Sequence, residues 1–236
     1  MFQSADPTIL SQELLLSVAE QLKLPLLQIA RQAEQALLIG NTDISAIQTT
    51  ADSALALIDN YVLGVRLSLD HQLLDIEPVS VSSVLYDTGQ QLDSLAKSYG
   101  VGLELNIAGR FGPVMANRIA LQAALVSLGT SLIEALPALE TNQLKLHLAT
   151  HRCRYGIVAG LYADTEHLTG DLLRQGRSLQ GRARQPLAGL SQSSGAGIFV
   201  ADALLSAMSL KLKVSRHQHL FGLGTVLQLN NQLQLV

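Results

Sequence analysis

Apolar residues recur at helical spacing from position 11 to about 38. Leu15, Val18, Leu22, Ile29 and Ala36 define a stripe that Leu14, Leu16, Leu26, Ala33 and Leu37 broaden. Pro25 falls inside this stripe, where a missing backbone N–H predicts a bend in the helix. A cleaner stripe follows: Ile47, Ala51, Ala54, Ile58, Tyr61 and Val65 step by four and three, with Leu55, Val62 and Leu69 alongside. Between the two, IGNTD offers Gly40 as a C-terminal stop and Asn41, Thr42 or Asp43 as an N-cap. So short a link predicts an antiparallel hairpin. The stripes are wider than one hairpin can cover, and a second copy completing a four-helix bundle is the simplest solution, so a homodimer is expected.

The pattern changes after the Asp-Ile-Glu-Pro run at 75–78, which sets the expected boundary between a helical domain over 1–75 and a mixed α/β domain over 76–236. Val81, Val84, Leu85, Thr88, Leu92, Leu95 and Tyr99 mark a helix. VGLELNI at 101–107 alternates as a half-buried strand does. Leu121, Leu125, Leu128, Leu132 and Leu136 share one face of a helix from about 117 to 135. Strands are predicted at 143–150 and around 154–162, a helix at 196–208, and closing strands at LKLKVS and VLQLNNQLQLV, the latter turning at Asn230 and Asn231. Residues 165–195 are rich in Gly, Gln, Ser and Arg, a long functional or mobile loop by composition. It holds Arg174, Arg177, Arg182 and Arg184 with no acidic residue from 173 to 195, a surface that suits phosphates or an acidic partner if it is more than a soluble loop.

Composition narrows the function classes. The 236 residues are 48% hydrophobic and 15% charged, as in globular proteins, and a net charge of -3 argues against general affinity for nucleic acid or anionic membranes. The single Cys153 permits no internal disulfide and reads as a small core residue. MFQSADPTIL lacks the pattern of a signal peptide, and no apolar run reaches membrane-spanning length, so a cytoplasmic protein with protein or small-molecule partners is expected.

The order of elements, together with three segments, resembles the transmitter of a sensor histidine kinase. Such a transmitter joins a dimerisation and phosphotransfer hairpin to a GHKL, or Bergerat-type, ATP-binding α/β sandwich. EQLKLPL at 20–26 is similar to the family's H-E-L-R-T-P-L, keeping Leu22, Lys23, Pro25 and Leu26. NRIALQAALVSLGTSLIEAL at 117–136 resembles the N-box helix, and SSGAGIFVADAL at 193–204 the second glycine box and its helix. The resemblance implies an α+β fold with a dimeric four-helix bundle, and implies that Glu20, Lys23 and Leu24 lie on the face where the family docks response-regulator receiver domains.

The chemistry departs from that pattern. Glu20 stands where the family places its phosphoaccepting histidine, and a carboxylate forms a mixed anhydride rather than a phosphoramidate. His71, near the domain junction, is the nearest alternative acceptor. Ser127 and Ser131 match the N-box positions from which the family's asparagine helps hold magnesium, a task for hard oxygen ligands. Glu134, one turn on, is either a carboxylate for that ion or a solvated helix residue. In LYADTEHLTG at 161–170, Asp164 matches the family's adenine-recognising aspartate, but Glu166 and Leu168 occupy its glycine-rich surroundings. Gly195 and Gly197 retain the second glycine box, suited to an anion at a helix N-terminus or simply to starting the helix.

The expected reading is a catalytically inactive histidine-kinase-like protein, a pseudokinase of two-component-type signalling. It would need no cofactor and would bind a receiver domain or a cognate histidine kinase. Two alternatives stand beside it: a kinase or phosphotransferase with a nonstandard acceptor, and a sensor that binds ATP, with or without magnesium, or another anion without turnover, with Ser127, Ser131, Asp164, Gly195 and Gly197 as its nucleotide-binding residues.

Overall fold

The computed structural model describes residues 74–107, 111–138, 144–165 and 194–229, with helical positions scattered through 22–34 and 47–63. Helical backbone at Leu22, 26–27, 29–31 and 33–34, and at 47–48, 51, 54–55, 58–60 and 62–63, falls inside the two segments whose periodicity predicts helices. Leu26, Leu27, Leu55, Ile58 and Val62 are exposed there, while Ala54 is buried. Glu20, Lys23, Leu24, Pro25 and His71 lie outside the described residues, as do the expected hairpin turn, most of the loop at 165–195, and Asn230 and Asn231.

The mixed domain runs β1 (Glu77–Val79), α1 (Val81–Ser98), β2 (Gly102–Ile107), β3 (Val114–Ala116), α2 (Arg118–Ala135), a 3-10 turn (Leu136–Ala138), β4 (Lys145–Cys153), β5 (Gly156–Ala163), α3 (Ser194–Ala207), β6 (Lys213–His217) and β7 (Leu220–Leu227). Five strands form one sheet in the order β2-β4-β5-β7-β6. The β2–β4 pair is parallel and the other three pairs are antiparallel. β1 and β3 make a separate antiparallel pair.

α1 and α2 each begin where the sequence supplies a cap. Ser80 accepts a hydrogen bond from the Ser83 backbone N–H at 3.4 Å, and the α1 face formed by Val81, Val84, Leu85, Thr88, Leu92 and Ala96 turns inward. Gly100, with φ of 68°, lets the chain leave the helix in the left-handed conformation. Asn117 caps α2 by accepting from Ala120 N–H at 2.9 Å, and its amide donates to the Asp75 carbonyl at 3.0 Å. Arg118 then reaches across to α1, donating to Asp87 at 2.7 Å and Ser83 at 3.0 Å.

α2 is the middle of the helical layer. Fourteen of its 18 residues are buried, so a one-faced leucine stripe understates its role. A Cβ at Gly129 would collide with Leu92 of α1, which shows how closely those two helices approach. The sheet meets the helices through alternate residues, among them Leu146, Leu148, Ile157, Leu161, Leu223 and Leu227, all essentially without solvent contact. Full burial of such a side chain contributes about 1.5–3 kcal/mol, and this shared layer is what fixes α2 and α3 against each other.

Two features of the described strands were not predicted. A hairpin joins β6 to β7 and turns at Gln218 and His219, with Gln218 at φ of 57°, and Leu229 makes an isolated bridge to Val114, while the turn expected at Asn230 and Asn231 lies outside the described residues. The β1–β3 pair was not foreseen, because three-residue strands carry too little alternation to register. No described helix is long and apolar enough to cross a membrane.

Candidate functional site

The residues matched to nucleotide binding converge in part. α3 begins at Ser194, which puts Gly195 and Gly197 in its first turn, with Gly197 facing α2. A Cβ at Gly197 would overlap both the Ser131 hydroxyl and the Ser127 carbonyl oxygen. The two helices therefore touch backbone to side chain, along the line where the sequence resemblance places a phosphate cradle. Ser131 is fully buried, and its Oγ finds no hydrogen-bond partner among the described residues. Ser127 is also buried.

Asp164 does not join them. It occupies the bend after β5 and is exposed, while the adjacent Thr165 is buried. Glu134 turns toward the end of α1, where its charge, second to burial, pushes the Tyr99 phenol up to about 12. Its carboxylate thus has a neighbour on the α1 side of α2, whereas Ser131 faces α3.

These atoms do not fit a magnesium–nucleotide cradle at Gly197. A seam too tight for one methyl group has no space for a phosphate between its walls, and a neutral serine hydroxyl is a poor substitute for the oxygen ligands that magnesium demands. Among the described residues, no group of three or more His, Cys, Asp or Glu side chains is placed to hold a metal ion. An open cavity of about 360 Å³ exists elsewhere, at the opposite end of α3, where Met208 meets Ile76, Met115 and Leu210.

Sequence reasoning passed over Asp202. It is a buried carboxylate on α3, an acid in the otherwise apolar run IFVADALL, and that contrast was the available signal.

No protein-family model and no curated protein matches the sequence. Solved structures do. The histidine kinase AdeS of Acinetobacter baumannii superposes with a TM-score of 0.52 at 14% identity, over 89% of this chain and 98% of that one. Full-length ShkA in complex with AMPPNP gives 0.55 at 15% identity, over 89% of this chain and 46% of ShkA, so this chain spans a little under half of it. The fold is that of a histidine-kinase transmitter. A structure described as a bacterial phosphotransferase also matches, with a TM-score of 0.52 at 11% identity over 93% and 97% of the two chains. The transmitter resemblance read from the three motif segments thus holds at the level of fold, and the five-stranded sheet with its helical layer is consistent with a GHKL sandwich. At these identities the likeness carries architecture, and the chemistry rests on the residues themselves.

Proposed function

We propose that this protein is a catalytically inactive histidine-kinase-like protein that acts by binding other proteins in two-component-type signalling. The observation that carries this reading is the closed seam between Gly197 and the pair Ser127 and Ser131. Glu20 adds to it, since a carboxylate stands in the sequence where the family's phosphoaccepting imidazole is expected. The exposed apolar residues Leu26, Leu27, Leu55, Ile58 and Val62 suit burial against a second copy, and the family resemblance implies that Glu20, Lys23 and Leu24 belong to the segment that meets a receiver domain or cognate kinase. Regulation would then operate by competition or by mixed dimers.

Calorimetry with ATP and magnesium, run beside a phosphotransfer assay, tests the reading: no binding heat and no label on the chain are expected. Saturable nucleotide binding without label would replace it with the sensor reading. Glu20→His alone is expected to remain unlabelled by ATP, because the seam at Gly197 is unchanged. Measurable labelling of that variant would overturn the argument. Light scattering on the full chain should give twice the monomer mass.

A second reading draws on the phosphotransferase match, which runs along nearly the whole of both chains. In this reading the chain would take a phosphoryl group from a phosphorylated protein rather than from a nucleotide. Here it would require a nonstandard acceptor, and incubation with a phosphorylated receiver distinguishes it by moving label onto this chain.

A further inference from the structure

On the sheet face away from the helices, His151 of β4 and His217 of β6 meet, although β5 and β7 separate their strands in the sheet order. Their Nδ1 atoms are 3.4 Å apart and their ring centroids 5.4 Å. Gly160, Gly222 and Gly224 lie in the two intervening strands, where neighbouring backbone comes closer than a Cβ allows, an arrangement suited to a tightly coiled sheet. Beneath the two imidazoles lies Tyr162, fully buried with Ala149 and Leu220. Its ring is 6.2 Å from that of His151 and 5.5 Å from that of His217, and its hydroxyl shares a 3.1 Å hydrogen bond with Ser215.

We infer that the His151–His217 contact is an acid-sensitive latch, closed over Tyr162 at neutral pH and opened by protonation of the pair. Two facing Nδ1 atoms accommodate one proton between them, one ring donating and the other accepting. A second proton sets two N–H groups and two positive charges face to face. The neighbouring charges offer little relief. His147 on β4 and His219 in the β6–β7 turn are themselves titratable bases, and Lys145 is a cation. Glu104 of β2, a carboxylate on this side, is engaged with Lys145 at 2.7 Å and His147 at 3.3 Å. Tyr162 of β5 stays neutral, because burial raises its phenol. Arg216 alternates to the other face, where it stacks 4.0 Å over Phe221.

Burial holds both imidazoles below the usual histidine range, and the charge of His217 adds to the effect at His151. Folded values below unfolded ones mean that the native state disfavours the protonated rings. The stabilisation is therefore present above the unfolded value of about 6.5 and is lost as pH falls through the lower folded values.

Hydrogen exchange of the full chain, compared at about pH 7.5 and about pH 5 after correction for intrinsic rates, tests the latch. Protection across β6 and β7 is expected to fall by roughly tenfold at the lower pH, while the amides of α2 keep theirs. His151→Gln and His217→Gln should each remove the acid-dependent step. Imidazole NMR titration of the wild-type chain supplies the second readout, independent of how the variants fold. Two mutually coupled rings with values below the ordinary one are expected. An acid step unchanged in both variants, or a pair titrating independently at the ordinary value, overturns the inference.

Discussion

Gly197→Ala should lower the stability of the mixed domain by about 1–3 kcal/mol, the cost of forcing an extra methyl into a filled core. The methyl would overlap the Ser131 hydroxyl and the Ser127 carbonyl, and the latter is backbone in the middle of α2. α2 cannot retreat, because Gly129 on another part of its surface is already packed against Leu92 of α1. Urea unfolding should register the change as a lower midpoint at an unaltered slope. Ser131→Ala points the other way. It deletes a fully buried hydroxyl that has no partner among the described residues, so stability should hold or rise slightly. Ser131→Gly combined with Gly197→Ala should recover part of the loss, since the hydroxyl no longer opposes the methyl, and a double-mutant cycle measures that coupling. A fully stable Gly197→Ala protein would mean that the helices are not in contact there. The argument against a phosphate at Gly197 would then fail with it.

That seam also shows what the sequence disclosed and what it withheld. α1 and β2 were legible because each has one wet side: Val81, Val84, Leu85, Thr88 and Leu92 keep a helical period, and VGLELNI a period of two. α2 was legible as a helix, and Asn117 as its cap, but not as the central helix of the layer. A helix buried nearly all round loses the amphipathic contrast that would tell one face from another. Gly195 and Gly197 were readable as a glycine pair before a helix, yet the same spelling serves an anion site and a close helix crossing. Only the position of Ser131 relative to Gly197 separates the two. β7 was missed because LFGLGTVL spends two of its positions on glycine, which weakens strand propensity while allowing the coil the sheet needs. Nor could spacing show that His151 and His217 meet, since their contact depends on that coil across four strands.

The second large effect belongs to the coiled sheet. Gly222→Ala is expected to cost about 3 kcal/mol or more, the upper end of the range for overpacking, because the added Cβ would overlap the Leu161 carbonyl of β5. Leu161 is paired with Leu223 in the β5–β7 ladder, so the oxygen moves only if ladder hydrogen bonds break. Gly224→Ala should be milder, its Cβ meeting the Ala159 carbonyl at 2.9 Å. Gly160→Ala would meet the Leu223 carbonyl and the Tyr162 hydroxyl, each at 2.7 Å, and of these the phenol can swing aside. The expected order of thermal destabilisation is therefore Gly222 first, with Gly160 and Gly224 behind it. Gly160→Ala should carry a separate signature, because displacing the phenol breaks its bond to Ser215 and removes the floor on which His151 and His217 rest. Its acid-dependent loss of protection in β6 should begin at a higher pH than in the wild-type chain. If Gly222→Ala proves as mild as the other two, the close β5–β7 approach is not what coils the sheet, and the route by which β6 reaches β4 must be sought elsewhere.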